Sequence, residues 1–456
     1  MTKDNSFLGT EPVGKLLFRL AIPTITAQLI NLLYNIVDRI YIGHMPGVGD
    51  LALTGVGVCM PLILIVSAFS SLVSACGAPR ASIFMGQGDD DKAEKTLGTC
   101  FTAQLAVALL LTVVLLLWSR PLLLTFGASE NTIGYAVQYM EVYALGTAFV
   151  QLTLGMNAFI TAQGYAKMSM LTVVIGAVSN ILLDPLFMFV FGMGVRGAAL
   201  ATILSQGISC VWVICFLCGK KSLLRLKRST LAIRPKLLLP CLALGISPFI
   251  MQSSESLISV CFNSSLLKYG GDVAVGAMAI MGSVMQFAMM PMMGLTQGAQ
   301  PITSYNFGAK NPDRVKKTFR LLLTCGLCYS TSLWLLVMTV PRVFAGIFTP
   351  DPALIDFTAK AMRVYMGALF VFGIQMTCQM TFVALGKAGA SVIVAVVRKF
   401  ILLLPLIFLM PALLEDQTMA VYLAEPIADV LAGLCTVAMF ATQFRKALRS
   451  ISKEQN

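Results

Sequence analysis

The sequence predicts an all-α membrane protein with about twelve transmembrane helices in two six-helix lobes related by a parallel internal repeat. Three observations predict it. The chain carries too little charge for a water-facing surface, its apolar runs are long enough to cross a bilayer, and it matches itself at a shift of 222 residues.

Charged residues make up 12% of the 456 and hydrophobic residues 57%, where a soluble chain carries about 25% charged residues. Crossing ~30 Å of hydrocarbon takes about 20 residues of helix. Apolar runs fall at 18–42, 51–77, 97–118, 135–161, 169–193, 197–218, 237–264, 273–304, 319–340, 361–385, 392–414 and 420–443. The runs 97–118 and 197–218 hold no charged residue. The runs 51–77 and 273–304 are long for one straight span and are expected to project past the membrane. The first ten residues are polar and the first apolar run is too long for a signal-peptide core, so no cleavable signal is expected.

The net charge of +12 raises the question of nucleic acid. The basic residues sit in short loops between apolar runs, which is the positive-inside pattern, and no nucleic-acid partner is expected. With the N-terminus in the cytoplasm, 24 of the 33 Lys and Arg fall in inside segments, Lys3 among them. Six fall outside, and Arg39, Arg398 and Lys399 lie in spans. Both termini are therefore expected to be cytoplasmic.

The self-match needs no gap for over a hundred residues. At the 222-residue shift, Gly49-Asp50 falls on Gly271-Asp272, Gly86 on Gly308, Lys95-Thr96 on Lys317-Thr318, Val142-Tyr143 on Val364-Tyr365, and Ala162 and Gly164 on Ala384 and Gly386. Six spans per repeat is an even number, so the halves have the same orientation, a known transporter plan. The expected organisation is an N-terminal lobe at 1–218, a solvated basic linker at 219–236 with seven Lys and Arg, a C-terminal lobe at 237–443 and a cytoplasmic tail at 444–456. Attraction of the linker to anionic lipid is an added possibility.

Ionisable side chains deep in spans are costly and point to function. Asp38, Asp184 and Glu255 sit well inside apolar runs, whereas Glu141, Glu425 and Asp429 fall nearer the estimated ends. Thr24, Gln28, Asn31, Asn35 and Asp38 are spaced 4, 3, 4 and 3, so they form one stripe of the first helix. Lipid would not tolerate such a stripe. Tyr34 and Tyr41 flank Asp38. Asn180 and Asp184 are i, i+4 on the fifth helix, Thr153, Asn157 and Thr161 line the fourth, and Thr202 lies early in the sixth. Interhelical hydrogen bonding explains the Thr and Asn residues but explains two carboxylates poorly. Two carboxylates in one dry pocket cannot both ionise cheaply, so the pair can hold a proton. The same oxygens could ligate a small hard cation; Asp38, Asn180 and Asp184 are metal ligands only if the ion is Na+. The residues do not separate H+ from Na+, and no other cofactor is expected.

The second half lacks this constellation. Matching Pro23 to Pro248 places Asn263 opposite Asp38, and matching Pro185 to Pro405 places Leu404 opposite Asp184. It offers instead Gln252, Glu255, Ser259 and Asn263 on one helix face, where Glu255 could compensate an organic cation or make a polar contact between helices. Met278, Met281, Met285, Met289 and Met292 recur at helical spacing, as core packing or as a flexible apolar wall that accepts many ligand shapes. The expected substrate cavity comprises Gln28, Asn31, Tyr34, Asn35, Glu255, Met281, Met285 and Met289.

Asp89-Asp90-Asp91 resembles a metal–pyrophosphate motif, but the repeat supplies a control. Its counterpart is Asn311-Pro312-Asp313, a helix N-cap followed by Pro at the first helical position. A cap explains both copies. The twelve cysteines read as small buried hydrophobes, because the pairs Cys215/Cys218 and Cys325/Cys328 lack the second ligand pair a zinc site needs. No P-loop, GxSxG or HExxH is present, so no enzyme is indicated.

The segments LAIPTITAQLINLLYNIVDRIYIG, GAPRASIFMGQGDDDKAEKT, NILLDPLFMF, TQGAQPITSYNFGAKNPDRVKKT and AEPIAD together resemble the multidrug and toxic compound extrusion (MATE) transporters along nearly the whole chain. The resemblance implies two six-helix lobes in a V, with a central cavity opening alternately to each side of a bacterial inner membrane. It implies antiport of organic cations against H+ or Na+. On that resemblance Asp38 is the first-helix acid, Asn180 and Asp184 are the fifth-helix pair, and Asn157 and Thr202 match polar positions of the same lobe. Some relatives carry an acid in the tenth helix, where this chain has Gln375 and Gln379, so the ion site is expected in the first lobe. The alternative within the superfamily is a lipid-linked glycan flippase, which would need cavity cations for phosphate; Arg39, Arg398 and Lys399 are the candidates. A channel fits the repeat and the paired acids less well. Substrate identity and oligomeric state are not legible.

Overall fold

The computed structural model describes residues 6–453. Residues 1–5 and 454–456, Lys3 among them, lie outside the described residues, as do the side chains of Ala75 and Lys453. Among the described residues, nine helices are long and apolar enough to cross a membrane, and two bent pairs bring the number to eleven. The helix Pro235–Gly308 turns at Gly271, where φ is 65°, and serves as two spans. The described residues thus hold twelve spans in chain order: Val13–Gly43, Gly49–Gly86, Asp90–Thr125, Ile133–Leu145 with Thr147–Ala162, Ala166–Val190, Val195–Cys218, the two arms of Pro235–Gly308, Pro312–Thr339, Pro352–Tyr365 with Leu369–Ala384, Ala388–Leu413 and Gln417–Ser452.

The repeat extends to irregular features. The fourth span bends by 58° after Leu145 and the tenth by 48° after Tyr365, at corresponding positions. Before the third and ninth spans the backbone turns through positive φ at Gly88 and at Lys310. The next residue caps the helix in each case: Asp89 accepts from the Lys92 amide at 3.1 Å and Asn311 from the Arg314 amide at 3.3 Å. The capping explanation of the acidic triplet therefore holds.

Twelve spans put both ends of the bundle's chain on one face, and on that face the lobes close on each other. Thr24 donates to the Gly294 carbonyl at 2.6 Å, Gln28 to Gln297 at 3.0 Å, and Ser82 to the Pro301 carbonyl at 3.4 Å. Gln252 donates to Ser71 at 2.8 Å, and Phe69 packs edge-on to Phe249. A short helix, Ser6–Thr10, wedges under this closure, where Asn306 and Arg314 hold the Leu8 carbonyl at 2.9 and 3.0 Å. All these contacts lie in the half of the molecule that carries the termini. Towards the opposite face no such bond joins the first and seventh spans among the described residues and the buried cores of the two lobes are separate, which we read as a gap between the lobes.

The linker is not a freely solvated strand. Gln163 accepts from the Ser222 hydroxyl and from the Leu223 and Leu224 amides at 2.8–3.0 Å. Glu94 pairs with Lys227 and accepts from the Arg225 amide, and Thr99 donates to the Ala232 carbonyl. Ser222 and Leu224 are buried. The expectation of a solvated linker is corrected: its charges reach outward while its backbone is bonded to the first lobe. The last span continues as one helix to Lys453.

Candidate ion and substrate site

The polar stripe of the first span begins at the lobe closure, with Thr24 and Gln28, and runs outward through Asn31 and Asn35. The Asn35 amide is held by the Asn31 carbonyl at 2.7 Å. It ends at Asp38, which meets the fifth span. There Asn180 and Asp184 are almost fully buried, and the Asn180 amide donates to Asp184 Oδ1 at 3.4 Å. The Asp38 and Asp184 carboxyls are close neighbours. Asp38 Oδ1, Asn180 Oδ1 and Asp184 Oδ2 are buried acceptors with no hydrogen-bond partner among the described residues. Unpaired buried acceptors are rare and costly, and a set made only of hard oxygens fits a proton or a small hard cation. Directly after Asp184 and Pro185 the helix widens into a π turn, Leu186–Val190, a deviation common at functional sites.

Thr202, half-buried on the sixth span, approaches the Tyr139 hydroxyl, which also lies near Asp38. Tyr139 is 4% exposed and is a site residue that the sequence reading misses; its i, i+4 spacing with Tyr143, on which it stacks, is the available signal. Asn157 is not brought to the acids. Its amide donates to the Ser169 carbonyl at 3.3 Å, and Ser169 precedes Asn180 by eleven residues, about 16 Å of helix rise. The expectation that Asn157 joins the ion site is corrected: it ties the fourth span to the start of the fifth.

In the second lobe, Gln252 bonds across the closure, and Glu255, Ser259 and Asn263 follow on the same face with exposed side chains, so Glu255 borders the floor of the gap. Its carboxylate is taken by Lys399 at 2.6 Å, a partner that sequence spacing does not reveal. Beside Lys399, Arg398 binds Asp429 at 2.8 Å and Glu425 at 3.3 Å. Both acids are buried and lie eight and twelve residues after the start of the last helix at Gln417. Met281 is also corrected: it is fully buried in the core of the second lobe and lines no gap. Met285 and Met289 are half-buried against that core. Gln28, Asn31, Tyr34 and Asn35 are half-buried along the first span.

A family model described as MatE matches residues 23–186 and 248–409. Multidrug export protein MepA of Staphylococcus aureus (strain N315) is 24% identical over 403 residues, 88% of each chain. Its namesake in Staphylococcus haemolyticus (strain JCSC1435) is 23% identical over 422 residues, 92% of each. Among solved structures, the MATE multidrug transporter DinF-BH in complex with the dye rhodamine 6G is 33% identical with a TM-score of 0.88, covering 95% of this chain and 96% of that one. A MATE crystal structure in the bent conformation is 20% identical with a TM-score of 0.92, covering 98% and 99%.

Proposed function

The chain belongs to the MatE family of membrane transporters, and we propose that it is a cation-coupled antiporter that exports small amphipathic, mainly cationic compounds by alternating access. The observation that carries this reading is the set of partnerless oxygens on Asp38, Asn180 and Asp184, placed at the end of a polar stripe that leads from the lobe closure. In this reading an incoming H+ or Na+ is cargo held by those oxygens, with Thr202 and Tyr139 beside it. The substrate occupies the gap between the lobes, bordered by Asn31, Tyr34, Asn35 and Glu255. The termini-bearing face is cytoplasmic, which makes the arrangement outward-open, and the membrane is the bacterial inner membrane.

Binding of the ion neutralises charge that Asp38 and Asp184 otherwise keep in a low-dielectric pocket. A ligand shifts a conformational equilibrium by its differential affinity for the two states, and a pocket enclosed in one state and reorganised in the other supplies that difference. The names of the relatives, a multidrug export protein and a multidrug transporter with a bound dye, support a small-molecule cargo. The flippase alternative is disfavoured because Arg398 and Lys399 are engaged by carboxylates, while Arg39 is exposed near the end of the first span, where it can snorkel to the membrane surface.

Proteoliposomes loaded with rhodamine 6G test the reading. Efflux driven by an imposed proton or sodium gradient is expected, and absence of efflux under both gradients contradicts it.

A further inference from the structure

We propose that Lys399 sets the charge selectivity of the gap: it is the resident counter-ion of Glu255, and an organic cation engages that carboxylate only by displacing the lysine ammonium. The inference rests on the reading of the gap as the path of small cations.

Lys399 is 4% exposed and Arg398 5%, and both lie on a π-helical stretch of the eleventh span, Val397–Leu403. Consecutive residues of a helix point to different sides, and the two cations meet different partners. Arg398 is held in a fork by Glu425 and Asp429. Lys399 is held by Glu255 through a bond of 2.6 Å. These two holds differ in kind. A guanidinium gripped by two buried carboxylates is fixed, whereas an ammonium on a flexible four-carbon stem, bonded to one carboxylate, is displaceable.

Exposure divides the cluster the same way. The Glu425 and Asp429 side chains are 7% and 5% exposed, and that of Glu255 is 47% exposed. Glu255 lies one turn beyond Gln252, whose amide closes on Ser71 of the other lobe. A cation in the gap therefore meets Glu255 first, with Lys399 behind it. With all five groups charged, three carboxylates and two cations leave one net negative charge, and it belongs to the Arg398 group, away from the gap. The pair that faces the gap is neutral while Lys399 stays, and becomes a bare carboxylate if its charge is removed.

Binding of rhodamine 6G, a cation, and Nile red, a neutral dye, to the full-length protein in nanodiscs tests this by fluorescence anisotropy. Lys399→Met is expected to bind rhodamine 6G about tenfold more tightly, the low end of close charge-pair couplings, with Nile red unchanged. Adding Glu255→Gln is expected to remove the gain. The charge exchange Glu255→Lys with Lys399→Glu keeps an ion pair and hence the fold, but presents an ammonium to the gap, so rhodamine 6G binding is expected to fall. If Lys399→Met does not fold, the exchange variant decides. An unchanged rhodamine 6G affinity in Lys399→Met, equal changes for both dyes, or an exchange variant that binds like the wild type would overturn the inference alone. Wild type that binds no rhodamine 6G overturns the functional reading and this inference with it.

Discussion

Gly86 and Gly308 pack reciprocally across the lobe closure. A Cβ on Gly86 would stand 2.0 Å from the Tyr305 carbonyl oxygen, and one on Gly308 2.0 Å from the Ile83 carbonyl oxygen. Both pairs of equivalent residues are 222 positions apart, so each lobe offers the other the same surface, as an isologous two-fold contact requires. The glycines let two helix backbones touch, and the obstacle to any larger residue is backbone, which cannot rotate away. Gly86→Ala and Gly308→Ala are each expected to wedge the closure open at a cost of about 1–3 kcal/mol. Faster thiol labelling at Ser82→Cys from the termini-bearing face, in a cysteine-free background, would report the opening. Unchanged labelling in both variants contradicts the seam.

Orientation is tested by the linker. Lys221→Cys, exposed on the linker, is expected to react with an impermeant thiol reagent only after cells are permeabilised. Labelling from outside intact cells would invert the topology and with it the outward-open assignment.

Gln163 binds the linker through one carbonyl oxygen that accepts three donors. Gln163→Ala leaves the Leu223 and Leu224 amides without that acceptor, at about 1–3 kcal/mol for an unsatisfied buried group. Trypsin, which cuts after Lys and Arg, is expected to cleave 219–236 faster in the variant. An unchanged cleavage rate would mean that the linker is held elsewhere.

Arg398 neutralises Glu425 and Asp429 in a buried cluster. Arg398→Met strands two carboxylates, and removing one side of a buried ion pair costs about 3–5 kcal/mol. Thermal unfolding in detergent is expected to fall accordingly. The combination Arg398→Met, Glu425→Gln and Asp429→Asn should recover most of the loss. A triple variant no more stable than the single would show that the charges themselves are not the issue.

The spans and the two-lobe plan are legible in the sequence because both rest on patterns that survive without coordinates: runs of apolar residues and a shift that superposes Gly86 on Gly308. Asp38, Asn180 and Asp184 are legible because i, i+4 spacing and intramembrane charge are one-dimensional signals. Lys399 and Glu255 are 144 residues apart, and hydropathy scores each as a penalty rather than as half of a neutral pair. Met281 and Met285 share one helical stripe, and spacing alone does not distinguish a core-facing from a gap-facing position. Asn157 shares a lobe with Asp184 but not a depth, which only the Ser169 contact reveals.

The central claim is that Asp38 and Asp184 hold one ion between them. Replacing either by Asn keeps shape and hydrogen-bonding capacity but removes the ionisable oxygen. Efflux of rhodamine 6G from proteoliposomes under a proton or sodium gradient measures the consequence. Asp38→Asn and Asp184→Asn are each expected to abolish gradient-driven efflux while the protein stays folded, and the double variant to be no worse than either single, because residues acting as a unit are not additive. Gradient-driven efflux at the wild-type rate in either single variant would contradict the account.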